Sequence, residues 1–379
     1  MKKIFQEILF FIVILLGVYY VGFRIYNALN SKHLNLPIGT LQVEQCQKLH
    51  PKSELKTVRV LVVSGGGVDG IIPLTYLKYF EEHAKRPVSE LFDLFVGTST
   101  GSIIVSALNI PDASGHSFVS AAQLLEDYKT DGKKIMSSTF WRKIYTLNGL
   151  LGPRFSIQNL YKNYQQKPWA TEPFYQLLNH VAVTNYHLEK LSMSILENWD
   201  CNIERVYSPI ADILVSNTAA PMFYAPVIFS KNNQTAQTYI DGSIMSNNPS
   251  LQAISIATKQ FPKMKKIILV HLDTGRFTLK ESELHQNDVR SWGVLHWIVP
   301  LTKIFFKSQR YEVHQGLNDL LKFVSPDKFQ YFYFNANAPS DAFNVSDEHF
   351  KRLESVSADA VKTEQKKLDK LLDMLVRKH

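Results

Sequence analysis

Two β-branched, apolar runs in this chain each end in a tight glycine turn that hands over to a helix-like stretch. The first, Lys56 to Ser64 (KTVRVLVVS), runs into Gly65-Gly66-Gly67-Val68-Asp69-Gly70 and then into the apolar segment Ile71 to Phe80. The second, Leu91 to Val96, meets Gly97-Thr98-Ser99-Thr100-Gly101 and continues into Ser102 to Asn109. Such runs bounded by glycine read as strands buried on both faces, and strand, turn and helix in succession build a parallel sheet. The predicted fold class is therefore α/β, a mainly parallel central sheet flanked by helices, with a further strand over Lys266 to Leu272 (KIILVHL).

The second turn is a GxSxG string placed between a strand and a helix, the setting of a nucleophile elbow. Gly97 and Gly101 leave out the Cβ atoms that would clash across so tight a turn, and the strained turn presents the hydroxyl of Ser99 as candidate nucleophile. The first turn points bare backbone N–H groups at one locus beside a helix N-terminus, which suits an anion. Two ligands fit that description. Gly65, Gly67 and Gly70 spell GxGxxG with Glu90 and Asp93 about twenty residues on, the pattern of a dinucleotide-binding oxidoreductase. The same loop, Gly65, Gly66, Gly67 and Gly70, also suits the oxyanion of a tetrahedral acyl intermediate. Ser99 at the end of the neighbouring parallel strand tips the reading toward acyl transfer. Of the twelve histidines, His271 is best placed, but a lone strand histidine reads as a hydrogen-bonded core residue. The candidate base is instead Asp241, in the Asp-Gly motif Asp241-Gly242-Ser243 after a short strand.

The ordered set of glycine loop, serine elbow and Asp-Gly turn resembles the patatin-like phospholipases. Further blocks agree: Gly152-Pro153-Arg154-Phe155, Asn217 to Pro226 (NTAAPMFYAP), Asp241 to Pro249 (DGSIMSNNP) and Leu272-Asp273-Thr274-Gly275. The resemblance covers about residues 57 to 310. It implies a Ser-Asp dyad without histidine, with Ser99 as nucleophile, Asp241 as proton acceptor and the loop amides as oxyanion hole. It also implies fatty-acid release from phospholipids or lysophospholipids; the sequence carries no calcium loop, zinc spacing or haem signature, so no cofactor and no metal are expected. Two positions depart from the family's loop, Ser64 for Asp and Asp69 for Arg. The charge of Asp69 beside a developing oxyanion motivates the alternative of a catalytically impaired lipid-binding protein.

Outside that region, Ile8 to Phe23 is an uninterrupted apolar segment introduced by Lys2, Lys3 and Glu7 and ended by Arg24. At about 16 residues, roughly 24 Å as a helix, it is read as an uncleaved transmembrane helix within an anchor over residues 1–29, the side of the membrane unassigned. Residues 30–56 read as a tether, 57–310 as the catalytic domain, and 311–379 as a helical extension packing on it. In that extension Leu368, Leu371, Leu372 and Leu375 recur at helical spacing. Ser291 to Phe306, rich in Trp, Leu and Ile, reads as a buried helix and turn. The formal net charge of +8 is not gathered into a basic stripe interleaved with aromatics, so nucleic acid is not an expected partner, whereas membrane lipid is. The two cysteines, Cys46 and Cys201, make no metal-ligand pattern and read as unpaired packed thiols.

Overall fold

A computed structural model of the chain describes residues 2–30, 34–51, 53–230, 236–276, 293–338 and 341–376. It opens with α1 (Lys2–Asn30), β1 (Leu34–Pro37), α2 (Val43–Leu49) and β2 (Thr57–Val63). The glycine loop ends in a 3-10 turn, Gly67–Gly70, and leads to α3 (Ile71–Ala84), α4 (Val88–Leu91), β3 (Leu94–Thr98) and α5 (Thr100–Ala107). Next come α6 (Ala121–Ile135), α7 (Phe140–Tyr145), α8 (Ile157–Gln165), β4 (His180–His187), β5 (Ser192–Glu197), α9 (Ile210–Asn217), β6 (Val227–Ser230) and β7 (Gln237–Asp241). The chain continues through α10 (Ser250–Gln260), β8 (Lys266–Leu272), α11 (Val294–Leu320), β9 (Phe329–Phe334), α12 (Asp347–Thr363) and α13 (Gln365–Val376).

The described strands form one nine-stranded sheet in the order β1-β6-β7-β4-β3-β2-β8-β9, with β5 also on β4. The run β4-β3-β2-β8-β9 is parallel throughout. Alternation along β2 shows why its sequence is apolar at nearly every position. Val58, Val60 and Val62 pack on one face with Phe261 and Leu317, while Leu61 and Val63 belong to the opposite core with Phe80 and Ile104. Both faces are covered by helices, so each buried Val or Leu contributes about 1.5–3 kcal/mol. The mixed α/β expectation, a central sheet between helices, thus matches the architecture.

Five expectations are corrected in whole or in part. Among the described residues no helix is long and apolar enough to cross a membrane, so the transmembrane helix read over residues 8–23 is not carried by the structure. The uninterrupted apolar run stops about four residues short of the roughly 20 that a span needs. The tether reading of 30–56 fails because β1 pairs with β6 and Leu34, Leu36, Cys46 and His50 are buried. Cys46 and Cys201 are not free thiols but a disulfide that joins α2 to the main domain across 155 residues of sequence. The extension after residue 310 is not only helical, since β9 completes the sheet beside β8. Its last helix behaves as its pattern predicts: Leu368, Leu371, Leu372 and Leu375 are buried. The segment Ser291 to Phe306 enters α11 as a helix, but of its described side chains Leu301, Ile304 and Phe305 are exposed and Trp297 and Phe306 half-buried, while Ser291 and Trp292 lie outside the described residues.

Candidate active site

One edge of β4 brings the two chemistry-bearing residues together. Thr98 at the end of β3 lies opposite Thr184, and Asp241 at the end of β7 lies opposite the next residue, Asn185. β3 runs parallel to β4 and β7 antiparallel, so their carboxyl ends meet head to head on that edge while β5 takes the other. Ser99 Oγ donates a 2.6 Å hydrogen bond to Asp241 Oδ2, and the Ser243 N–H donates to Asp241 Oδ1 at 2.9 Å. Thr184 Oγ1 donates to Thr98 Oγ1, which donates to the Ser246 carbonyl, tying all three segments at the junction.

The local backbone explains the glycines. Ser99 sits at φ 53°, ψ −120°, a strained conformation for a residue with a side chain. A Cβ on Gly97 would lie 2.4 Å from the Gly101 carbonyl group, and one on Gly101 would lie 2.1 Å from the Val63 oxygen. At Gly242 a Cβ would stand 2.3 Å from Thr184 Oγ1 and 2.7 Å from the Thr184 backbone. Gly242→Ala is therefore expected to push the Asp241 turn off β4. Since a misplacement of about 1 Å costs on the order of 100-fold in rate, ester turnover should fall by at least that much, with about 1–3 kcal/mol of stability lost. Parallel turnover and urea-unfolding measurements on the variant check this.

Asp241 is wholly enclosed, and burial pushes its carboxyl up to about 6, against the partial relief given by the Ser99 and Ser243 hydrogen bonds. The residue that accepts the serine's hydrogen bond thus titrates near neutrality, as a general base requires.

The glycine loop closes over the elbow. Gly65 N–H donates to the Asn247 carbonyl and Val68 N–H to the Ala342 carbonyl, whereas the amides of Gly66 and Gly67 have no acceptor among the described residues. Gly70 lies at the close of the 3-10 turn, against Tyr128 and Thr100. Of the four glycines read as a possible oxyanion hole, the geometry leaves Gly66 and Gly67 free to donate, and Gly65 and Gly70 serve the loop's shape. Thr100 Oγ1 donates to the Gly67 carbonyl and is met at 2.8 Å by Tyr128 OH. On the other flank Thr274 Oγ1 donates to the Gly65 carbonyl, and Arg310 Nη1 reaches both Thr274 Oγ1 and the buried carboxylate of Asp273.

The two departures in the loop have partners elsewhere. Asp69 is buried, with Oδ1 3.1 Å from His349 Nε2 on α12. Ser64 Oγ lies 2.7 Å from His271 Nε2, whose other ring nitrogen is 3.0 Å from Tyr331 OH. Burial lowers His271 to about 4, which leaves it a neutral, hydrogen-bonded core residue remote from acid–base work at neutral pH. Sequence reasoning missed Asn247, Thr274, Arg310, Tyr128 and His349; only Thr274 and Asn247 fell within recognisable blocks.

Ser99 opens into a cleft walled by Ile103, Leu124, Ile135, Leu160, Tyr224 and Phe343 among others. An apolar trough ending at a hydroxyl paired with a carboxylate suits a long acyl chain presented ester-first.

Comparison with known proteins points the same way. The family profile described as "Patatin-like phospholipase" matches residues 61–254, just over half of the chain. "Patatin-like protein 1" of Arabidopsis thaliana is 26% identical over 317 residues, covering 75% of this chain and 76% of its own. "Patatin-T5" of Solanum tuberosum is 26% identical over 278 residues, covering 67% and 70%. A relative from the same plant, "Probable inactive patatin-3-Kuras 1", is 25% identical over 267 residues, covering 64% and 69%.

Proposed function

This chain belongs to the patatin-like phospholipase family, and on that premise we propose that it is a carboxylic ester hydrolase releasing fatty acids from phospholipids or lysophospholipids through an acyl-Ser99 intermediate, with Asp241 as general base. The observation that carries the proposal is the 2.6 Å hydrogen bond from Ser99 Oγ to a buried Asp241 at the end of an apolar cleft.

In this reading Ser99 Oγ attacks the ester carbonyl as its proton passes to Asp241 Oδ2. The Gly66 and Gly67 amides, which have no acceptor among the described residues, receive the charge that develops on the carbonyl oxygen. Collapse breaks the ester C–O bond, and the departing alcohol takes the proton from Asp241. Water then attacks the acyl-Ser99 carbonyl with Asp241 again accepting a proton, and the fatty acid leaves as Ser99 regains its hydrogen. The contact of Asp69 Oδ1 with His349 Nε2 supports a working site over an impaired one, because it gives the buried carboxylate a partner on α12.

The reading fixes a pH dependence. Below about 6 Asp241 carries a proton and cannot accept another, so kcat/KM should rise tenfold per pH unit at low pH and level off above an apparent pKa near 6. A pH profile with a soluble short-chain ester checks it, and a flat acid side would count against Asp241 as the base.

We further propose that the protein works at a membrane in an oxidising compartment. The exposed apolar side chains of α1 support the first part and the Cys46–Cys201 disulfide the second. The direct test of the activity is mass spectrometry of mixed phospholipid vesicles incubated with the chain. Free fatty acid with matching lysolipid is expected from the parent and none from Ser99→Ala; no product from folded parent on phospholipid, lysolipid or acylglycerol would refute it.

A further inference from the structure

Helix α1 is built unlike any surface helix that stays in water. Every residue from Phe10 to Val18 is exposed, and no polar face interrupts the apolar ones. Beyond that stretch it meets the domain, where Tyr19 OH donates to the Tyr145 carbonyl at 3.0 Å and the Tyr26 ring stacks on Tyr145 at 5.0 Å. The close approach needs Gly22, since a Cβ there would lie 2.9 Å from the Tyr145 ring.

The segment it meets is itself apolar and uncovered. Phe140, Trp141, Ile144, Leu147, Leu150 and Leu151, on α7 and just after it, are between 36% and 69% exposed. Contiguous exposed aromatics and leucines at the foot of an apolar helix mark a surface made to be covered.

Its neighbours say by what. A cleft whose charged lining is Lys133, Lys143, Arg154 and Asp341, three cations to one carboxylate, lies beside α7, and Met136 and Phe343 form a wall both of this cleft and of the one that holds Ser99. Lys133 is paired with Asp347, but Lys143 and Arg154 have no carboxylate partner among the described residues, and the Arg154 Nε–H is buried without an acceptor. Cationic donors beside an exposed aromatic face complement anionic headgroups above acyl chains.

We propose that α1 and residues 140–151 form one docking face for an anionic phospholipid bilayer, and that lipid passes from it through the Lys143–Arg154 cleft to Ser99. This rests on the lipid hydrolase reading for the fate of the lipid, but not for the docking itself. The face turns a diffusing enzyme into one held beside its substrate, and phosphate capture by Lys143 and Arg154 would present the ester end toward the apolar cleft.

The test separates docking from chemistry by using the full chain in a Ser99→Ala background, reconstituted with vesicles, its disulfide intact. Single cysteines at Phe140→Cys and Leu150→Cys carry an environment-sensitive fluorophore. Phe323→Cys is the reference, an 86% exposed position just before β9, at the sheet edge remote from the elbow. Labels at 140 and 150 should shift to the blue and be quenched severalfold more than the label at 323 by a quencher borne on the lipid tails, and more in phosphatidylglycerol-containing vesicles than in phosphatidylcholine alone. Solvent-like labels at 140 and 150 would overturn the proposal. So would labels shielded equally with and without vesicles, which would mean that a second copy of the chain covers the face. Because no hydrolysis is read, failure of the catalytic reading would leave this result standing.

Discussion

Asp241→Asn is expected to lower kcat/KM on ester substrates by about 100- to 10,000-fold, the usual contribution of a general base, and to make the protein more stable at neutral pH. The two effects have one cause. An Asp in the unfolded chain titrates near 3.9, whereas burial raises the folded carboxyl to about 6. Between those values the folded chain holds a proton that the unfolded chain has lost, so stability falls as pH rises through that window. At pH 7 the penalty for keeping the buried charge is on the order of 3 kcal/mol at most, at about 1.4 kcal/mol per pKa unit. Asparagine keeps the acceptor for the Ser243 N–H and carries no charge, so about 1–3 kcal/mol should be recovered. The gain should shrink toward pH 4, where the folded carboxyl is protonated and the unfolded one about half so. Thermal unfolding of parent and variant across pH 4–8, beside ester turnover, checks both signs. A variant that is inactive but no more stable at pH 7 would show that Asp241 is not a strained buried charge.

Removing the disulfide as the pair Cys46→Ser and Cys201→Ser should cost up to about 5 kcal/mol, because the bond closes a loop of 155 residues and loop-closure entropy grows with the logarithm of length. At about 1.3 °C per kcal/mol for a chain of 379 residues, the melting temperature should drop by up to about 6 °C. The loss should be local first. The strap from β1 to α2 is held by pairing with β6, by the disulfide, by Tyr175 OH donating to Gln42 Oε1, and by His50 Nε2 lying 2.7 Å from the Tyr175 carbonyl. Hydrogen exchange should therefore show residues 34–50 losing protection before the β2–β8 core does. An unchanged melting temperature under reductant would mean that the bond is absent or idle in solution. Thiol alkylation of protein taken from its host without reductant would separate those cases and test the oxidising compartment as well.

The parts of this molecule legible in its sequence are those written by short-range geometry. Gly97 is demanded by a clash with Gly101 across its own turn, the GxSxG and Asp-Gly strings are local patterns, and the β-branched runs of β2 and β8 announce burial on both faces by composition alone. Ser99 and Asp241 could be named from those turns. Their meeting could not, since it depends on β3 and β7 sharing one edge of β4, a fact of register between strands far apart in the chain. The same reason hid the rest. Leu34–Pro37 is four residues ending in proline and passes for a linker until β6 is there to pair with it. Cys46 and Cys201 have no local pattern that declares a bond. Asp69 looked like a charge beside the oxyanion because its partner, His349, lies 280 residues away on a helix whose pattern speaks only of packing.

The central claim is that Ser99 is a nucleophile activated by Asp241, and covalent capture with a fluorophosphonate tests it without any assumption about the lipid. Peptide mass spectrometry should find one phosphonyl adduct, on Ser99, absent from Ser99→Ala, strongly slowed in Asp241→Asn, and forming faster as pH rises through about 6. No adduct on the folded parent, or an adduct on another residue at equal rate in both variants, would contradict the account.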